Sequence, residues 1–164
     1  MTITIELYDM GSTDPHLFEA QESSTIAEAV KLKSTEVLVL VDEGDEVDGD
    51  VDLIELDRRT TVGEASSGHS RLTLLRNPAA RVTVTIHYAG VSKALQVRST
   101  TRIRRIRKLA IAALGVDPER ATDTALRLPG SNADLTAKSP IGAYLDKGQH
   151  QIDLDLVHKD RPQG

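Results

Sequence analysis

Few residues of this 164-residue chain sit in a pattern that could do chemistry unaided. Asp48, Asp50 and Asp52 have the first three spacings of an EF-hand calcium loop. The glycine such a loop needs next is here Leu53, and the closing glutamate is Arg59, so the triplet reads as a solvated acidic loop. His16, His69, His87, His150 and His158 show no pairing at metal-ligand spacing. The absence of cysteine removes thiolate metal sites, iron–sulfur clusters, disulfides and thiol catalysis together. Ser66 and Ser67 lack Gly-x-Ser-x-Gly surroundings, and neither a P-loop nor Gly-x-Gly-x-x-Gly occurs. The sequence reads as a non-enzyme with no metal and no cofactor of its own. Two stretches keep functional interest: the polar end His158-Lys159-Asp160-Arg161-Pro162-Gln163-Gly164, and the basic Arg102-Ile103-Arg104-Arg105-Ile106-Arg107-Lys108.

Charge is distributed unevenly around those stretches. Residues 1–80 hold 17 acidic and six basic side chains, a net of −11. Residues 81–164 hold eight and 14, a net of +6, within a total of −5. Such asymmetry points to two modules. The longest apolar runs, such as Val37 to Val41, are strand-sized, so no membrane-spanning helix is expected. The start, Met1 to Glu6, has neither a basic n-region nor a long apolar stretch, and a cytoplasmic setting is expected. With 2% aromatic residues the cores must be aliphatic, and base-stacking platforms for nucleic acid are scarce.

The elements that must position these stretches follow one order twice. Thr2 to Leu7 alternates as a half-buried strand, Gly11 to Pro15 turns, and Leu17 to Ala20 returns. Thr25-Ile26-Ala27-Glu28 has the form of a capping box opening a helix through about Leu32. Glu36–Val41, Val51–Leu56 and Arg71–Leu75 read as strands, with the acidic turn-rich Asp42–Asp50 between the first two. After Asn77-Pro78-Ala79-Ala80, Val82 to Tyr88 is a strand, Ala89-Gly90 a turn, and Ala94 to Val97 the return. Ser99, Thr100 and Thr101 are N-cap candidates for a helix whose apolar positions are Ile103, Ile106, Ala110 and Ala113, stopped by Gly115. Arg104, Arg105 and Lys108 fall on its opposite side, a partner-binding face for an acidic surface. Leu126 to Leu128 is a short strand, and Gln151 to Leu156 the clearest alternating one.

Strand, hairpin, strand, helix and short strands is the order of the ubiquitin-like β-grasp fold, and the second half resembles ubiquitin at fixed places. Thr101 to Leu114 with Gly115-Val116-Asp117-Pro118 is similar to its helix and Gly-x-x-Pro exit. Leu126-Arg127-Leu128-Pro129-Gly130 is similar to its third strand and turn, and Ile141 to Lys147 to the segment of its buried tyrosine. The first half resembles the family by element order and by Thr61-Val62-Gly63. The resemblance implies an α+β chain of two tandem β-grasp domains, each a mixed sheet on one helix. Their bounds are an acidic domain 1–77, a linker 78–81, a basic domain 82–157 and a tail 158–164. A tandem of this kind looks like the interferon-induced two-domain modifier of vertebrates, and more like the two-domain modifiers of bacterial antiviral conjugation operons.

That resemblance implies a covalent protein modifier whose conjugation residue is Gly164. An activating enzyme would adenylate its carboxylate with ATP, an enzyme cysteine would take it as a thioester, and a target amine would complete an isopeptide bond. The implied partners are an activating enzyme, a conjugating enzyme, a deconjugating protease and target proteins. Glycine lacks Cβ and leaves its carbonyl open to attack, and His158 to Gln163, free of large apolar groups, would present it. The likeness departs at Gln163, where ubiquitin has glycine. If Leu126, Leu128, Ile152 and Leu154 point inward, Arg127, Asp153 and Asp155 point out, and that sheet face is charged rather than apolar. Two other readings stay open: a non-covalent tandem adaptor, and a nucleic-acid binder using the basic domain, which the acidic first half disfavours. The opposite charges also suggest head-to-tail self-association.

Overall fold

A computed structural model describes residues 1–41, 55–79 and 81–159. The alternation at the start buries Ile3, Ile5 and Leu7 on one face of strand β1 (Thr2–Asp9). Gly11, at φ +76°, helps turn the chain into β2 (His16–Gln21), antiparallel to β1. Thr25 caps helix α1 (Ile26–Ala29), its Oγ1 accepting from the Glu28 amide at 3.2 Å. The helix was expected through Leu32 but closes at Val30, where Lys31 at φ +53° takes the backbone out of the helical region. Strand β3 (Leu38–Leu40) is antiparallel to β4 (Arg71–Arg76), which lies parallel to β1. Between them comes a short helix, α2 (Val62–Ser66), capped by Thr61, whose Oγ1 accepts from the Glu64 amide at 3.2 Å and donates to the Glu64 carboxylate at 3.1 Å. The acidic Asp42–Asp50 and most of the expected strand Val51–Leu56 lie outside the described residues, although Glu55 bridges Val39.

The second half repeats the plan. Strand β5 (Val82–Tyr88) turns at Ala89 (φ +48°) and Gly90 (φ +81°) into β6 (Val91–Val97), two left-handed residues matching the strands' twist. Helix α3 (Ile103–Leu114) ends at Gly115, φ +64°, and is followed by α4 (Pro118–Ala121) and β7 (Thr124–Arg127). A 3-10 turn, Ile141–Tyr144, precedes β8 (Gln151–His158). The sheets have orders β2-β1-β4-β3 and β6-β5-β8-β7, with the same parallel and antiparallel pairings. The chain is α+β, a β-grasp arrangement built twice.

Two local expectations change. None of Ser99, Thr100 and Thr101 caps α3; Arg102 stands at the N-cap, with no side-chain cap bond. The helix's first amides are satisfied from a distance: Ile103 N–H donates to the Ser139 carbonyl at 2.9 Å and Arg104 N–H to Ala137 at 3.0 Å. Ser99 Oγ donates instead to the Ala79 carbonyl, and Thr101 Oγ1 accepts from the Arg98 amide. Ile103, Ile106 and Ala110 are buried, but Ala113 is exposed, and the partly buried Leu109 and Leu114 pack on the core.

Each sheet has its own aliphatic core. Ile5, Ile26, Val62 and Leu74 centre the first; Val84, Ile86, Ile106, Leu145 and Leu154 centre the second. A third cluster crosses between the halves: Tyr8, Val39, Val41 and Leu75 meet Ala143.

Candidate functional site

The tail leaves from a central strand. Residue His158 is the last of β8, opposite Thr124 of β7, rather than the first of a free segment. Its Nε2 lies 2.9 Å from the Tyr88 hydroxyl, and the two rings meet edge to face with centroids 5.7 Å apart. The Lys159 amide donates to the Asp123 carbonyl at 2.6 Å. The root is therefore held from both neighbouring strands, β5 and the start of β7. Asp160, Arg161, Pro162, Gln163 and Gly164 lie outside the described residues.

The basic helix divides its cations between two jobs. Arg104 and Lys108 are exposed. Arg105 is half-buried, and its Nε has no hydrogen-bond partner among the described residues. Arg107 turns inward: Nε donates to the Thr124 carbonyl at 2.9 Å and to Thr124 Oγ1 at 3.1 Å, and Nη2 to the Ala121 carbonyl. Arg102 Nη1 donates to the Lys138 carbonyl at 2.7 Å. Two of the helix's arginines thus tie loops to the fold, and Arg104 and Lys108 carry its outward charge.

The outer face of the second sheet is polar. Leu126, Ile152 and Leu154 are buried and Leu128 partly so, while Asp153 is exposed and Arg127 pairs with Asp134 at 2.7 Å. On this face Ser92 Oγ lies 2.7 Å from His87 Nδ1, and Asp153 Oδ1 lies 3.3 Å from Nε2. Serine, histidine and aspartate in line have the connectivity of an activated nucleophile. Here they are cross-strand neighbours, with Ser92 directly opposite His87, and 43% of His87's and 63% of Asp153's side-chain surface faces solvent. Water would solvate a developing charge there, so the trio is a surface polar contact.

The first sheet differs. Tyr8, Val39, Leu75 and Val41 lie on its outer face, yet each is 3% exposed or less. The second half covers them. The Tyr8 hydroxyl hydrogen-bonds Ser139; burial raises the phenol's pKa, against that bond's lowering effect. Gly142 packs so closely that a Cβ there would stand 2.9 Å from Met10 Sδ and 3.0 Å from Leu75 Cδ2. Sequence reasoning missed this face, although three signals marked it. Tyr8 breaks the alternation of β1, Leu74-Leu75 breaks that of β4, and the unbroken run Val37 to Val41 suits a strand buried on both sides.

Comparison with known proteins follows the same division. Residues 83–159 match the family model described as BilA ubiquitin-like domain 2. Residues 2–76 repeat the same strand order and pairing directions. The chain carries two ubiquitin-like β-grasp folds in tandem, the second matched by that family model. Among solved structures it is similar to "Caldiarchaeum Subterraneum Ubiquitin", at 13% identity and a TM-score of 0.39, over 51% of this chain and 99% of that one. No curated protein matches it. In this ubiquitin-like tandem the first sheet's outer face is spent on the second domain, and the second sheet's outer face is polar. Among the described residues no helix is long and apolar enough to cross a membrane.

Proposed function

We propose that this tandem is a protein modifier rather than an enzyme, joined to target proteins through the carboxylate of Gly164. The observation that carries this reading is the match of residues 83–159 to BilA ubiquitin-like domain 2, followed within a few residues by a glycine. A cognate activating enzyme supplies the chemistry: the carboxylate attacks the α-phosphate of ATP to form an acyl adenylate as pyrophosphate leaves, and an enzyme cysteine then forms a thioester as AMP leaves. A target amine displaces the thiol and forms an isopeptide bond. The chain's own part is presentation. Strand β8, held between β5 and β7, gives the tail a fixed origin, and Tyr88 and Asp123 hold His158 and Lys159 there. Glycine supplies an acyl carbon without a Cβ beside it. The carboxylate reacts in the same way if a longer precursor is first trimmed to Gly164. The resemblance to two-domain modifiers of bacterial conjugation operons gives this reading its setting, a cytoplasmic antiviral role with a conjugating enzyme and a deconjugating protease.

The chain, its activating enzyme and ATP should give a thiol-sensitive adduct by intact-mass spectrometry, abolished when Gly164 is removed. An adduct of equal yield without Gly164 would falsify the assignment of the residue.

A further inference from the structure

Where the two domains meet, a cleft of about 620 Å3 opens beside the covered face. That volume is within the roughly 300–1,000 Å3 usual for ligand clefts. The first domain contributes Arg71, Leu40 and Val41, and the second Arg102, Arg104 and Lys138. Four cations therefore converge in a chain whose net charge is −5. Among the described residues one carboxylate opposes them: Glu6, which lies 3.6 Å from Arg71 and accepts from Thr73 Oγ1 at 3.4 Å. Arg104 and Lys138 have no ion-pair partner among the described residues. Arg102, 8% exposed, is fixed against the Lys138 carbonyl, so one guanidinium is already oriented.

The cleft is not a generic anion site. Leu40 stands in it with 42% of its surface exposed, one of the few large apolar side chains open to solvent among the described residues. Apart from the ring of His69, no aromatic group among the described residues lines it, so the lining offers a nucleobase no Phe, Tyr or Trp to stack on. Charges from two domains and an apolar patch in one cleft suit a peptide segment that carries both carboxylates and an aliphatic side chain.

We propose that this interdomain cleft binds an acidic, aliphatic-containing peptide segment of a partner protein, with Arg71, Arg104 and Lys138 pairing its carboxylates and Leu40 contacting its apolar side chain. The proposal goes beyond conjugation, since neither His158 nor Lys159, the described residues of the tail, lines the cleft.

The test uses the full chain and a fluorescein-labelled peptide of two glutamates, one leucine and two glutamates, read by fluorescence anisotropy at physiological salt. Saturable binding is expected, weakened at least about tenfold by Arg104→Glu with Lys138→Glu, as for reversal of paired interface charges. Leu40→Ser, or serine in place of the peptide's leucine, should weaken it by about threefold to tenfold, the worth of a part-buried aliphatic contact. Arg120→Glu, an exposed arginine away from the cleft, should leave it unchanged. Equal loss with Arg120→Glu, or no effect of the two serine variants, would reduce the binding to nonspecific attraction and overturn the proposal. Displacement by pyrophosphate or ATP at lower concentration than by unlabelled peptide would overturn it in favour of a small polyanion. A chain with amides at the seven carboxylates of residues 42–54 runs alongside. Binding confined to that chain would also overturn it, naming the chain's own acidic segment as the occupant.

Discussion

The amide of Gly11, in the turn between β1 and β2, donates to the carbonyl of Gly142 at 3.2 Å and joins the two domains through backbone alone. Neither residue has a side chain in the way, and the approach depends on that. At Gly142 the space a Cβ would need is held by Met10 Sδ, Leu75 Cδ2 and, at 3.1 Å, the Ser99 carbonyl. Methionine can swing away; a backbone carbonyl cannot.

Gly142→Ala should therefore overpack the junction and destabilise the chain by roughly 1–3 kcal/mol. Urea unfolding gives the free energy. Tyr8 and Tyr144 both pack at the junction, so the tyrosine band in near-ultraviolet circular dichroism should weaken as well. A variant with the wild-type midpoint and an unchanged tyrosine band would show that the domains do not rest on Gly142.

Residues 81–164 alone should fold. Among the described residues their core draws only Met10 and Ala79 from outside that range, as partly buried neighbours. Amide spectra of the fragment should be dispersed, with shifts from the full chain concentrated in Ser99–Arg102 and Ser139–Leu145, the segments that lose their cover. A spectrum typical of an unfolded chain would show that the second core needs the first. The fragment should also be less stable than the full chain, since it exposes Ala143 and leaves Ser139 without Tyr8.

Arginines of α3 should separate by role. Arg107→Met leaves the carbonyls of Thr124 and Ala121 without their guanidinium donor and should cost roughly 1–3 kcal/mol. Arg104→Glu, on the exposed face, should change stability by less than about 0.5 kcal/mol. If the outward face docks acidic surfaces, Arg104→Glu with Lys108→Glu should slow activation or reduce self-association at low salt. The difference should shrink as salt rises, because such attraction is screened over about 8 Å at physiological ionic strength. Light scattering and activation rates across a salt series check this; identical curves would leave the face as solvated helix surface.

The pair Asp9–Arg76 sets part of the acid limb. Arg76 Nε and Nη2 donate to the two carboxylate oxygens of Asp9 at 2.6 and 2.8 Å, and this bond holds the Asp9 pKa below its ordinary value against the opposing effect of burial. The folded state thus favours the ionised form. Its contribution is complete above the unfolded-chain value of about 3.9 and disappears as pH falls through the lower folded value. Between about pH 5 and pH 2, Asp9→Asn should lose less stability than wild type, read from melting temperature against pH. Parallel curves would show that the pair contributes nothing to acid sensitivity.

Much of this architecture is legible in the sequence. Period-two burial in Thr2–Leu7 and Gln151–Leu156, the Thr25 capping bond and the Gly115 helix stop are local effects, and local sequence is enough to specify them. The duplicated element order was visible for the same reason. What covers Tyr8, Val39 and Leu75 was not. Their apolar character shows that a second buried face exists, but hydrophobic burial is non-directional and names no partner. The cap of α3 escaped for a related reason: Ser99, Thr100 and Thr101 offered local oxygens, while carbonyls at 137 and 139 took the amides from more than 30 positions away. The cationic cleft arose likewise, since Arg71 and Arg104 share it only because the second domain packs on the first sheet. Sequence alone determined the two β-grasp units, because alternation and capping act within a few residues. Their docking, and the cleft it makes, was decided by tertiary structure, because contact between distant segments depends on shape that forms only when both units are folded.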